Sequence, residues 1–347
     1  MASRRLGRLA ALITMIAVAV LALVCTVLSV PAWAEPTDKR ALRILDQDQD
    51  GDQIRLKVFS PAMNRELPVT LLVPDDFDRQ SSFPVLYALG GNEEGANADR
   101  AWLNSTDIRY AATHGALVVM PPTEKGGFFS DWYDGSRKWE TFHTVELPAL
   151  VRSKFKGTGK QAVMGISIGG HAALKYAAHH PGQYAAAAAY SGVLASSTPG
   201  MSSLYQATMR IAGQNPFSIW GDPVLQRAKW QYEDPALHLN GLRDTNLFIS
   251  AAAGVPRMAG AAGDGTPQGR ISQLSQKPND GIAQTLAVAI ENPAYETSVM
   301  FARKASAAGL NVTTSFPVRG VHNWSLWKDE FKVAWSEVLA PSLGLPR

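Results

Sequence analysis

Residues 161–182 constrain this chain most. An apolar run, Gln161-Ala162-Val163-Met164, ends in Gly165-Ile166-Ser167-Ile168-Gly169-Gly170. An alanine-rich stretch from His171 to His180 follows and stops at Pro181-Gly182. The run reads as a buried strand and the stretch as a helix, so the serine stands at their join. A turn that tight needs flanking positions without side chains, so that strand and helix can approach, and it strains the serine's backbone. A buried strand passing straight into a helix that packs back on it belongs to a parallel sheet wrapped by helices.

The rest of the chain repeats that alternation. Residues 54–59 (IRLKVF) and 68–73 (PVTLLV) read as strands joined by the turn-like SPAMNREL. Apolar runs at 83–91, 115–122, 185–194, 245–254 and 311–318 read as further strands, most of them ended by Gly or Pro. SLWKDEFKVAWSEVLAPSL (325–343) has the spacing of a closing amphipathic helix. Residues 195–240, with Met201, Leu204, Tyr205, Met209, Ile211, Phe217 and Trp220, form an inserted, lid-like segment. Its apolar residues suit an acyl channel and a core beneath a lid equally well.

The first 34 residues stand apart. Arg4, Arg5 and Arg8 precede an almost wholly apolar run, Leu9 to Val30, and Ala32-Trp33-Ala34 offers a small-x-small cleavage site. This is the layout of a secretory signal peptide, with an uncleaved anchor as the alternative. The leader holds three of the 33 basic residues, none of the 30 acidic ones and the only cysteine, Cys25. Residues 35–347 are therefore near neutral, which argues against a nucleic-acid partner, and offer no thiol for disulfide or nucleophile.

Two metal-like patterns fail on inspection. DQDQDGD (46–52) imitates the start of a calcium loop, but its twelfth position is Lys57 where a bidentate glutamate is needed. It reads better as a solvated acidic turn. His179-His180 sit at a helix end, where imidazoles commonly face water, and no zinc-type spacing occurs. No metal or cofactor is expected.

Gly165-Ile166-Ser167-Ile168-Gly169 matches G-x-S-x-G, in the strand–turn–helix setting that a nucleophile elbow requires. A serine hydroxyl needs a base, and the base needs an acid to fix its tautomer. In this fold the order is Ser, acid, His. His322, in RGVHNWSLW after the last strand, fits the base better than His238, and His171 reads as packing. Asp264, Asp280, Glu291 and Glu296 all qualify as the acid, with Glu291 and Asp264 foremost. Glu291 precedes Asn292-Pro293, which suits the start of a helix carrying Phe301.

At this point the residues resemble a known family, the antigen 85 group of secreted mycolyltransferases from mycolic-acid-bearing actinobacteria. SPAMNRELPVTLLV, GGFFSDWYDGSRKWETFHTVELP (126–148), GISIGG, WGDP (220–223) and HNWSLW (322–327) fall in the family's order. The resemblance implies an α/β-hydrolase fold in one domain over 35–347, with a mostly parallel central sheet flanked by helices. It implies Glu291 as the acid, ten residues before Phe301, and an oxyanion hole from the N–H groups of Ile168 and Asn92. It also implies an exported, cell-envelope acyltransferase with a glycolipid donor such as trehalose monomycolate. The acceptor would be a hydroxyl of trehalose, cell-wall polysaccharide or protein.

There are departures. Where the family reads roughly L-D-G-[LM]-R and uses the aspartate and arginine to hold trehalose, this chain has LGGNEEG, with Gly90 and Glu93 in those places. SIGGHAALKYAAHHPGQY is also similar to esterase D type hydrolases, which keeps plain ester hydrolysis in view. A non-catalytic envelope-binding protein is the third reading, and it predicts a damaged triad. Asp131, Trp132 and Trp324 are candidate substrate contacts, each with a structural reading beside it: loop packing for the first two, and positioning of the histidine loop for Trp324.

Overall fold

The computed structural model describes residues 41–254 and 280–347, with the side chains of 280–284 and 286 left aside. The leader, Asp264 and most of the 255–290 segment lie outside the described residues. Nine strands form one sheet: β1 (Arg43–Asp50), β2 (Gln53–Ser60), β3 (Arg65–Leu72), β4 (Phe83–Leu89), β5 (Leu117–Met120), β6 (Gly157–Ile166), β7 (Ala186–Tyr190), β8 (Asn246–Ser250) and β9 (Val312–Ser315). Their spatial order is β1-β2-β3-β5-β4-β6-β7-β8-β9. The first three and the β3–β5 pair are antiparallel; every pair from β5 to β9 is parallel. This is the expected α/β-hydrolase arrangement, a mostly parallel sheet with helices around it.

Burial follows position in the sheet. β5, β7 and the last six residues of β6 are buried without interruption, as strands covered on both faces must be. β2 alternates, and β1 is exposed almost throughout. The expectation of an acidic turn at 46–52 is corrected here: Asp46, Asp48 and Asp50 belong to edge strand β1, and only the Gly51-Asp52 tip turns. Charge along an outermost strand disguises it in sequence and also discourages edge-to-edge pairing.

The chain order creates a crevice. β4 leads sideways to β5, the chain then crosses back to β6, and from β6 to β9 it runs steadily the other way. Connections leaving β4 and β6 therefore diverge at their carboxyl ends. In open α/β sheets that divergence is where ligands bind. Residues 90–94 follow β4, and Ser167 follows β6.

The inserted 195–240 segment is anchored rather than loosely laid on. Tyr205 stacks on Phe128 at 4.6 Å between ring centroids, and Trp220 meets Trp230 edge-on at 4.9 Å. Tyr205, Met209 and Trp220 are core, Met201 and Leu204 are half-buried, and Ile211 and Phe217 are exposed. Beneath this aromatic layer lies a buried charge network. Lys175, on the helix Ile168–His179, places Nζ 2.7 Å from Glu233 Oε2 and 3.2 Å from Glu140 Oε2. It also donates to Ser130 Oγ at 2.9 Å and the Phe129 carbonyl at 3.1 Å. Ser130 Oγ in turn donates to Glu233 and accepts from Trp220 Nε1.

Burial works against the charged form of each group, but Lys175 and Lys229 pull Glu233 below the ordinary carboxylate range. For Glu140, Lys175 together with His179 and His180 overcomes burial and holds the carboxyl well below that range. His179 does not face water as expected. Its ring lies between Glu140 Oε1 and the Tyr232 carbonyl, at 2.7 and 2.8 Å. Among the described residues no helix is long and apolar enough to cross a membrane.

Lys175→Met takes away the buried lysine that Glu140 and Glu233 share, leaving Glu233 with Lys229 alone, and should cost about 3–5 kcal/mol in denaturant unfolding. Acid should weaken the wild type in two stages. Burial depresses His143 from 6.5 to about 3, so the folded protein binds fewer protons there and stability falls as pH drops below 6.5. Below 4.5 the depressed Glu140 and Glu233 add a second loss as they take up protons in the unfolded chain first. Unfolding free energies measured from pH 8 to 3 should show both falls; a profile flat down to pH 4 would refute the His143 contribution.

Candidate active site

The turn between β6 and its helix is as tight as the sequence demands. A Cβ on Gly165 would lie 2.2 Å from the Gly169 carbonyl oxygen, and one on Gly169 would lie 2.3 Å from that of Gly90. Ser167, between them, has φ 54° and ψ −122°, a left-handed conformation that costs a non-glycine residue about 1–3 kcal/mol. Its N–H is held by the Tyr190 carbonyl at 2.8 Å, so the neighbouring strand helps to hold the strained residue. Ile168 opens the helix, where its N–H has no acceptor within the helix.

His322 and Glu291 reach this serine from far along the chain. His322 Nε2 is 2.9 Å from Ser167 Oγ, and His322 Nδ1 is 2.8 Å from Glu291 Oε2. A carboxylate only accepts, so Nδ1 carries the proton and donates to Glu291, which leaves the Nε2 lone pair to accept from the serine hydroxyl. Glu291 is fully buried. Its Oε1 accepts from the Ala252 N–H at 2.7 Å and the Ser191 hydroxyl at 2.9 Å.

One expectation about Glu291 is corrected. It does not precede a helix: a single helix runs Asp280–Ala307, with Glu291 inside it and Pro293 in its interior. The Asn-Pro pair therefore does not mark a start, and Glu291 is held by buried donors rather than by a helix N-terminus. Of the rival acids, Glu296 is exposed and Asp280 begins the same helix. His238 lies elsewhere, with Nε2 3.0 Å from the Gln231 carbonyl. His171 is packed in the core against Tyr205 and the Val193 carbonyl.

Two residues of this arrangement escaped the sequence reading. Ser191, just past β7 with φ 52°, donates to Glu291 and accepts from Trp327 Nε1 at 3.0 Å. The Trp327 ring stands perpendicular to the His322 imidazole, 5.0 Å between centroids. A Ser-Gly pair directly after a buried strand was the only available signal for Ser191. Trp327 had the signal of falling one helical turn after Trp324.

The remaining candidates divide. Trp324 packs edge-on against Trp102 and Trp327, both at 5.3 Å, and its Nε1 donates to Glu94 Oε1 at 3.2 Å. That bond ties the histidine loop to the loop after β4. Asn92, on that loop, accepts the Gly126 N–H through Oδ1 at 2.6 Å, which fixes the backbone beside Ser167. Asp131 accepts from the Thr141 N–H and hydroxyl at 3.0 and 2.5 Å, and Trp132 donates to the Gly127 carbonyl at 3.2 Å. The side-chain hydrogen bonds of these two stay within residues 127–141, and none reaches Ser167 or His322. Glu93 is exposed beside Lys125.

Comparisons with known proteins agree with this architecture. The family described as "Putative esterase" matches residues 60–337. The diacylglycerol acyltransferase/mycolyltransferase Ag85A of Mycobacterium gordonae is 30% identical over 78% of this chain and 76% of its own. That of Mycobacterium leprae is 28% identical over 79% of both chains. Among solved structures, Mycobacterium tuberculosis MPT51 has a TM-score of 0.65 at 24% identity, covering 84% of this chain and 98% of that one.

The elbow geometry yields a paired test. Gly165→Ala sets a carbon against backbone that cannot give way and should destabilise by about 3 kcal/mol or more. Gly159→Ala, on the same strand with no atom within 4 Å of its would-be Cβ, should be tolerated. Equal melting temperatures for the two would refute the close approach.

Proposed function

Because the chain belongs to the putative esterase family, and within it to the antigen 85 mycolyltransferases, we infer that it is an exported acyltransferase working through a Ser167–His322–Glu291 triad. That such a protein transfers acyl groups or hydrolyses acyl esters follows from its membership; the residues, donor and acceptor are the proposal. One observation carries it: an unbroken hydrogen-bond line from Ser167 Oγ through both His322 nitrogens to a buried carboxylate.

In this reading Ser167 Oγ attacks the ester carbonyl of a mycolate-type glycolipid such as trehalose monomycolate. His322 Nε2 takes the hydroxyl proton, and Glu291 stabilises the imidazolium. The tetrahedral oxyanion is received by the N–H groups of Ile168 and Asn92, each worth about 10²–10³ in rate. Collapse expels the sugar hydroxyl, which recovers the proton from His322, and leaves an acyl-serine. A second hydroxyl then gives its proton to His322, attacks the acyl-serine and departs with the acyl chain as His322 returns that proton to Ser167 Oγ, so turnover is ping-pong. Water in place of that hydroxyl gives hydrolysis by the same steps. Export rests on the leader at 1–34.

Ser191 is a positioning residue here, since it touches the acid and not the substrate. The test is acyl transfer from trehalose monomycolate, with and without added trehalose, against release of free acid. Ser167→Ala should lower turnover by about 10⁴-fold or more and abolish fluorophosphonate labelling. Retained turnover in that variant would refute the triad. Ser191→Ala, which leaves the Trp327 N–H unpaired and takes one donor from Glu291, should lower kcat roughly 10- to 100-fold with little change in KM.

A further inference from the structure

Glu94 is the one side chain of the loop after β4 whose polar end is left open toward Ser167. Asn92 Oδ1 is engaged by the Gly126 N–H, and Glu93 extends into solvent beside Lys125. Glu94 Oε1 accepts from Trp324 Nε1, which holds the carboxylate in place. Its other oxygen, Oε2, accepts nothing among the described residues. A carbon at the position of a Gly91 Cβ would lie 2.8 Å from that oxygen and 3.4 Å from Ser167 Cβ. Gly91 thus stands between the nucleophile and a fixed, unengaged carboxylate oxygen, and its lack of a side chain is what lets that oxygen come so close. At Gly90 no side chain could serve instead, since its Cβ would fall 2.6 Å from that of Ala98.

We propose that Glu94 selects the acceptor by receiving a hydrogen bond from a second hydroxyl of the molecule that attacks the acyl-serine. The proposal rests on the acyl-transfer reading above. The attacking hydroxyl needs His322 Nε2; a neighbouring hydroxyl of the same molecule then finds Glu94 Oε2. A carboxylate that donates nothing and accepts strongly suits a sugar-like polyol and offers nothing extra to water or a monohydric alcohol. Sequence reading passed over Glu94 because Glu93, not Glu94, stands at the aligned position.

The experiment compares full-length wild type, Glu94→Gln and Glu94→Ala on an activated acyl ester, with trehalose, glycerol or methanol as acceptor, measuring acylated acceptor against free acid. Gln keeps the volume and can still accept from Trp324. The expected result is a rise of about tenfold or more in KM for trehalose and glycerol in Glu94→Gln, with a much smaller change for methanol. An equal shift for all three acceptors would mean that Glu94 only latches two loops together, and would overturn the proposal. So would unchanged selectivity in both variants. Wild type that released only free acid with every acceptor would overturn the acyl-transfer reading itself, and this proposal with it.

Discussion

The structure depends on how closely β6 meets the helix that follows it. With a Gly165 Cβ position only 2.2 Å from the Gly169 carbonyl, helix and strand touch through backbone alone. That contact forces Ser167 into its left-handed conformation and lifts the hydroxyl clear of the sheet. The strain, about 1–3 kcal/mol, is small against the stabilisation of a fully buried sheet centre. It is also shared, because the Tyr190 carbonyl on β7 binds the Ser167 N–H and Ser191 immediately after it takes a positive φ of its own.

From there the parallel sheet does the assembling. β6, β7, β8 and β9 lie side by side, and their carboxyl ends deliver successive parts of one site. Ser167 follows β6, Ser191 follows β7, the Ala252 N–H follows β8, and His322 follows β9. Glu291 comes from the helix between β8 and β9 and is gripped by donors from the β7 and β8 ends. Residues more than a hundred positions apart thus meet at the ends of neighbouring strands.

How much of this could be read in advance follows from range. Ser167 was legible because its requirement is local: glycines, strand and helix within a dozen residues. His322 was legible from chain order. Glu291 was not decidable from its neighbours, and the helix signal that favoured it proved to be a false start, since helix Asp280–Ala307 carries Pro293 inside it. Lys175 and His179 look like surface residues of an alanine-rich helix. Their burial depends on Glu233 and Glu140, which come from segments whose packing no local pattern records. β1 was hidden for the opposite reason, its charge being that of an exposed edge.

The anchoring of residues 195–240 bears on how substrate would enter. A segment fixed by a stacked Tyr205–Phe128 pair and by a salt bridge buried under Trp220 cannot swing away without exposing Lys175 and two carboxylates' worth of charge. Partial opening would break the pairing before water could replace it, and a buried charge left without its partner is costly. The segment is therefore a fixed wall over this part of the core rather than a gate, with Ile211 and Phe217 exposed on its surface.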